Sequence, residues 1–503
     1  MEKIKKDDSY AHILKYTGVF GGVQGLNILV GIVRNKLVAM ILGPAGMGLM
    51  SLFNSTIKLI SDSTNLGIPM SAVREISDAY GSKDETLVSK NVHLVRAWSL
   101  LTGIVGMFLC ILLSPLLNKW TFAWGNHTLH FVFLSPVVLL TAITAGEMAI
   151  LKALRKLKSL ALVSLQVVFC NLILSVPLYL IWKDSAVVPS LVIVAVIQLL
   201  LTIVYSYRIC RPQFHFDKSY LTDGLGMVKV GVAFLMAGIL GSGAEFLIRT
   251  YLNNTGDLEA VGLYNAGFMI VFTYAGMVFQ AMETDYFPRL SACSNIGHEF
   301  KEVVNRQAEV SLLLVSPLLC LFIVSAPIVL PLMFCSKFLP VLGMVRIAAL
   351  AMYIRAIALP IEYISLSKGD SSSFLFLEFF YNAFIVVFVI VGYHFFQLNG
   401  AGFAITSAGL MGLFVDLAYL YGRYQYSLSK TIVWYFSVQF ALGVMTYLTS
   451  VFLNGLFSVA MGCLCALASL CFTLKVIRSK THLYESLKSK LMNILKIKRN
   501  DKQ

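Results

Sequence analysis

Long apolar stretches alternate along this chain with short breaks that carry turn residues or clustered charge. Each stretch reaches about 18 residues or more, enough for a helix to cross about 30 Å of hydrocarbon at about 1.5 Å per residue. Cutting at the breaks predicts about fourteen spans. They lie near residues 11–42, 46–73, 91–116, 128–151, 159–182, 186–208, 226–252, 257–286, 306–334, 340–366, 373–396, 401–422, 430–453 and 456–477. The expected fold class is all-α, a polytopic membrane protein. The start, MEKIKKDDSY, leads into a helix far longer than a signal-peptide core and reads as an uncleaved first span.

The first two spans break the apolar pattern in a regular way. Gln24, Asn27, Gly31 and Arg34 fall on one helix face of the first. Ser51, Asn54, Ser55, Lys58, Asp62 and Asn65 form a second stripe, more than three turns long. Hydrocarbon cannot satisfy such groups, so both stripes must face protein or water. Two neighbouring polar stripes predict one wall of a hydrophilic cavity.

Composition agrees with the span pattern. Of 503 residues, 58% are hydrophobic and 13% charged, against about 25% charged in soluble globular chains. The net charge of +14 is not a nucleic-acid signal, because it sits in short loops and in the C-terminal tail. Most of the Lys and Arg residues fall in every second inter-span segment, and the opposite loops hold little beyond Lys119, Lys183 and Lys337. The positive-inside rule then places both termini in the cytoplasm, which requires an even number of spans. In 481–500, Leu483, Leu487, Leu491 and Ile494 recur at helical spacing among lysines, as in an amphipathic helix lying on an anionic leaflet. A disordered basic tail is the alternative.

Several chemistries are disfavoured. The nine cysteines show no metal-ligand or disulfide spacing. There is no Walker-type glycine loop for ATP, and no cofactor is expected. The outer loops, such as Gly43-Pro44-Ala45-Gly46 and Asn253-Asn254-Thr255-Gly256, are too short to hold a catalytic domain. The chain does not read as an enzyme.

A weak internal repeat links the first hairpin to the seventh and eighth spans. Lys36 precedes a turn ending Gly48-Leu49; Arg249 precedes a turn followed by Gly262-Leu263. Two six-helix lobes follow, 1–209 and 224–427, with two additional helices in 428–479 and the basic tail in 480–503. Transporters are often built from such repeats, with the substrate site between them.

Ionisable groups at membrane depth are costly and usually functional. The cations are Arg34, Lys36, Lys58, Arg249, Arg346 and Arg355, and a cationic interior suits an anionic cargo. Local pairing competes with this reading: Lys58 with Asp62 and Glu245 with Arg249 are each four apart on a helix, and Glu362 follows Arg355 on the same face. Arg346, near a helix end, reads best as snorkelling. Asn27 and Asn54 add polar contacts for cargo. Asp62, Glu147 and Glu245 are candidates for a coupling proton or sodium ion.

The stretch Asn35-Lys36-Leu37-Val38-Ala39 through Leu42-Gly43-Pro44-Ala45-Gly46-Met47-Gly48-Leu49 closely resembles the first hairpin of Wzx-type flippases for O-antigen and other lipid-linked polysaccharide repeat units. Arg249 with Val261-Gly262-Leu263-Tyr264, and Tyr286-Phe287-Pro288-Arg289-Leu290-Ser291, resemble that family's seventh and eighth spans. The family belongs to the multidrug/oligosaccharidyl-lipid/polysaccharide exporter superfamily. The resemblance covers roughly 10–425. It implies two lobes around a cavity with alternating access in the bacterial inner membrane. It implies an undecaprenyl-diphosphate-linked oligosaccharide cargo, and a monomer that works alongside a polysaccharide polymerase and a chain-length regulator. Lys36 and Arg249 match basic positions of the family pattern. The pair of helices after residue 428 departs from the twelve usual in the polysaccharide branch and matches the fourteen of related peptidoglycan-precursor flippases. A cation-coupled multidrug exporter and a membrane-bound polysaccharide polymerase or ligase are the rival functions. The short outer loops disfavour the second.

Overall fold

A computed structural model of the chain describes residues 2–122, 125–211, 218–274, 297–453 and 455–480, with scattered positions between 276 and 293. The tail expected beyond residue 480 lies outside the described residues. Every regular element among the described residues is helical. In chain order they are α1 (Glu2–Thr64), α2 (Ile68–Gly81), α3 (Glu85–Thr121), α4 (Thr128–Ala153), α5 (Leu157–Trp182), α6 (Val187–Tyr207), α7 (Lys218–Thr255) and α8 (Leu258–Phe268). Then follow α9 (His298–Met333), α10 (Leu342–Ser367), α11 (Ser371–Tyr424), α12 (Lys430–Phe452) and α13 (Gly455–Lys480). The chain is an all-α polytopic membrane protein.

Nine helical stretches among the described residues are long and apolar enough to cross a membrane. Three of them are too long for one crossing: the 40 residues of Gly25–Thr64 would extend about 60 Å as one rod. Each breaks near its middle. Gly43 does so in α1 (φ 67°, ψ −171°), ahead of Pro44. Lys183 ends α5 with φ 48°, ψ −129°, and Gln397 interrupts α11 with φ 50°, ψ −133°. The last two positions share a conformation that side chains rarely adopt. They occupy the turn after the fifth span and the turn after the eleventh, six spans apart. The second span, expected over 46–73, instead stops at Thr64. Leu66 and Gly67 both take positive φ, and Asn65 Oδ1 accepts the Gly67 N–H at 2.8 Å, so a separate helix, α2, begins.

Internal packing divides the chain into two compact units. The first comprises Met1–Ala266, Leu330–Val341 and Ser371–Leu398. In it, α2 is amphipathic and buries Ile68, Ala72 and Ile76 against Val92, Val95, Ala149 and Ile150. Small residues let α3 and α4 approach closely. A Cβ on Gly103 would stand 2.9 Å from Leu139, and one on Gly146 2.2 Å from the Ser99 hydroxyl.

The second unit comprises Gly267–Val329, Leu342–Asp370 and Asn399–Gln503. Its centre is α10, buried at nearly every position from Met344 to Ser365. The α12–α13 pair is fixed to this unit by buried hydrogen bonds. Gln439 Nε2 donates to Thr473 Oγ1 at 3.0 Å, Ser469 Oγ donates to Gln439 Oε1 at 2.6 Å, and Thr473 Oγ1 donates to the Leu313 carbonyl of α9 at 2.9 Å. Gln439 is fully buried, so Gln439→Leu strands the Ser469 hydroxyl and leaves Thr473 only its bond to the Leu313 carbonyl. We expect it to lower stability by about 1–3 kcal/mol, read as earlier loss of the monodisperse peak on heating in detergent; an unchanged profile would show that the network contributes nothing.

Candidate functional site

Within the first unit, the second limb of α1 meets α7. Its polar stripe divides on folding. Ser51 and Ser55 are buried, Ser55 Oγ donating to the Leu52 carbonyl at 2.9 Å, while Asn54 and Lys58 are exposed. The facing stretch of α7 is rich in glycine: a Cβ on Gly238 would lie 3.7 Å from Asp62, and one on Gly241 would meet nothing within 4 Å. Room is left beside the charges.

Lys58 reaches across to α7, and its Nζ donates to Glu245 Oε1 at 2.8 Å. The other carboxylate oxygen, Oε2, accepts from Arg249 Nη1 at 2.8 Å. Glu245 and Arg249 thus pair within α7, as their spacing suggests. Arg249 Nη2 also donates to Asn265 Oδ1 on α8 at 3.2 Å. The Arg249 Nε–H is buried and has no acceptor. Asp62 lies one turn beyond Lys58, beside the Ser242 hydroxyl. Exposure runs from half for the Lys58 side chain to 9% for Arg249. Two cations therefore share one carboxylate, with a second carboxylate close by, on three helices of one unit.

The other expected residues sit elsewhere. Arg34 Nε donates to Ser175 Oγ of α5 at 3.4 Å, and Asn27 lies two turns earlier on the same face. Lys36 is half-buried two residues on, turned away from Arg34. Glu147 is 2% exposed and doubly bonded to Arg96, with Oε1 at 2.8 Å from Nε and Oε2 at 3.2 Å from Nη2. Ser206 Oγ donates to the same carboxylate, and Arg96 Nη2 also reaches the Cys210 carbonyl at 3.0 Å. In the second unit, Arg355 lies over the Phe272 ring at 5.6 Å. Arg346 donates to the main-chain carbonyls of Ile323 and Ser450 at 3.3 and 3.1 Å, so its head group is held by neighbouring helices. Sequence reasoning missed Arg96, Ser242 and Asn265. Arg96 counted only as a positive-inside residue. Asn265 gains meaning only once α7 and α8 fold back on each other.

Apolar helices around a cluster of mutually compensated charges make up an all-α polytopic membrane fold. The chain belongs to the polysaccharide biosynthesis protein family, whose model matches residues 13–294. In fold it is similar to the lipid II flippase MurJ in an inward closed conformation, with a TM-score of 0.71 at 14% identity over 92% of this chain and 99% of that one. It is also similar to an inward-facing multidrug resistance MATE family transporter of the MOP superfamily, with a TM-score of 0.67 at 14% identity over 79% and 94%. A third likeness is to a MOP superfamily transporter from Pyrococcus furiosus, described as having a binding pocket of reverse polarity, with a TM-score of 0.57 at 12% identity over 80% and 93%. No curated protein matches the chain by sequence.

Proposed function

We propose that this protein is a flippase that carries an undecaprenyl-diphosphate-linked oligosaccharide, an O-antigen or capsule repeat unit, from the cytoplasmic to the periplasmic leaflet of the bacterial inner membrane by alternating access. The observation that carries this reading is the buried Arg249 Nε–H that lacks an acceptor, beside Lys58 and Asn265. A buried donor without a partner costs about 1–3 kcal/mol, and a phosphate oxygen is a strong acceptor for it. The diphosphate is the fixed anionic part of such a cargo. Lys36, Arg34 and Arg355 extend the basic path in this reading, and Asn27 and Asn54 meet the sugars.

The acids offer a means of coupling. With Asp62 ionised, Lys58 and Arg249 are matched by Asp62 and Glu245 and the cluster is neutral. Adding a proton to Asp62 leaves one net positive charge, and the affinity for phosphate rises. Glu147, held by Arg96 and Ser206, braces α3, α4 and α6 and takes no part in coupling. The lobes 1–209 and 224–427 are the moving bodies, with a monomer as the working unit and a polymerase and chain-length regulator downstream. Both termini are cytoplasmic: reporters fused after residue 425 and at the C-terminus should both read inside, and an outside C-terminus would mean that α12 and α13 do not both cross.

Complementation tests the reading. In a strain lacking its own flippase for the matching repeat unit, the parental chain should restore surface glycan. Arg249→Ala should abolish it at normal membrane abundance, and Arg249→Lys should restore part of it. Export by Arg249→Ala at the parental level would exclude the cationic site.

A further inference from the structure

The first limb of α1 and helix α5 run side by side in the same direction. Just past the ends of both, Gly46 after the Gly43 break meets Asp184 after α5, a carboxylate oxygen of which would stand 2.5 Å from a Cβ on the glycine. Further along, Arg34 reaches Ser175. Both chains descend in number from the first contact to the second, which fixes a parallel register. Counting onward at about 1.5 Å per residue, Asn27 lies about 10 Å beyond Arg34 and Asn171 about 6 Å beyond Ser175. Seven residues on α1 and four on α5 each return to nearly the same face. The two asparagines therefore follow the Arg34–Ser175 contact along one seam.

Beside Gly31 the seam leaves open space. Gly31 sits between Asn27 and Arg34 on the α1 face, and a Cβ built there would find no atom within 4 Å beyond its own helix. The side-chain oxygens of Asn27 and Asn171 are both buried and accept from no donor. Ser175 spends its proton on the Asn171 carbonyl at 2.5 Å, so its oxygen is left as an acceptor. Buried polar atoms are almost always satisfied, by protein, water or ligand. The seam thus holds two enclosed, unsatisfied acceptors near the space at Gly31, with a guanidinium at one end.

The chemistry narrows the occupant. Arg34 repels a metal ion, and the amide oxygens repel an anion. A neutral molecule with several hydroxyl donors fits both, and an oligosaccharide is such a molecule. We propose that the hollow beside Gly31 is a glycan-hydroxyl subsite, in which Asn27 and Asn171 accept from sugar hydroxyls of the cargo and Arg34 donates to a ring or hydroxyl oxygen. The proposal rests on the oligosaccharide cargo put forward above. It makes α5 a wall of the path, with Asn171 and Ser175 as specificity residues.

Two measurements test it. The first is chemical: Gly31→Cys in native membranes is treated with a membrane-impermeant maleimide, and labelling is read at that position by mass spectrometry, because nine native cysteines are present. Position 31 should be labelled, and less so in cells that accumulate cargo, while Ile173→Cys, on an α5 residue 64% exposed outside the seam, should stay silent. An unlabelled position 31 would remove the hollow. The second is functional: Asn171→Leu and Asn27→Leu should each reduce glycan export about tenfold, the loss of roughly one good hydrogen bond, at unchanged membrane abundance. Asn171→Ser should recover part of it. Parental export in both leucine variants would mean that the hollow holds only water. Labelling does not depend on cargo identity, so it separates failure of the hollow from failure of the cargo reading, which Arg249→Ala decides.

Discussion

Replacing Arg96 with Met should destabilise the folded protein by about 3–5 kcal/mol, the usual cost of leaving one member of a buried ion pair alone. Glu147 has almost no contact with the surroundings, at 2% exposure, and Arg96 is little more open at 9%. The bidentate geometry answers both carboxylate oxygens, and Ser206 and the Cys210 carbonyl add further contacts, while Arg96 Nη1 is buried without an acceptor. The Tyr207 ring adds a cation–π contact at 4.5 Å. The double variant Arg96→Met with Glu147→Gln removes both charges and should recover most of the loss. Thermal unfolding of the four purified forms measures this cycle. Additive losses, with the double variant falling by the sum of the two single ones, would show that the pair is not coupled and that each residue acts through packing alone.

The second large effect belongs to two glycines. A Cβ on Gly48 would stand 1.9 Å from the Leu258 carbonyl oxygen and 3.0 Å from the Gly262 nitrogen. A Cβ on Gly262 would stand 1.9 Å from the Pro44 carbonyl oxygen and 3.0 Å from the Gly48 nitrogen. The second limb of α1 and α8 therefore cross backbone to backbone, and the obstacles are main chain that cannot rotate away. Either Gly→Ala change should cost about 3 kcal/mol, at the upper end of overpacking penalties, and export should fall more than tenfold. The double change should cost far less than the sum, because one separation of the helices relieves both clashes. Strict additivity would show that the glycines act independently and that the crossing is not a shared contact.

Those same glycines show what the sequence makes legible. Gly48-Leu49 and Gly262-Leu263 stand out as matching positions of a repeat, and in the structure they touch. Spans are readable because every helix in hydrocarbon must be apolar over its length. The Glu245–Arg249 pair is readable because four residues make one helical turn. The Lys58–Glu245 bond is not, since 187 residues separate its ends and no local rule connects them. Arg96 falls in a cluster of cations whose purpose as topology signals is sufficient by itself, and only packing shows that it is buried. The early end of the second span was hidden too, because Leu66 takes a left-handed conformation that sequence patterns do not favour.

The hydrogen bonds that tie Gln439 of α12 to α13, and Thr473 of α13 to α9, carry a mechanical consequence. Any movement of the second unit has to drag α12 and α13 with it, and much of their surface is bare apolar side chain, Leu456 at 88% exposed and Phe452 at 76%. Lipids in contact with that hairpin must rearrange each time the unit moves. The surrounding bilayer then acts as a viscous load on the turnover, and reconstitution into lipids of different acyl length should change the rate of the protein without altering a single contact inside it.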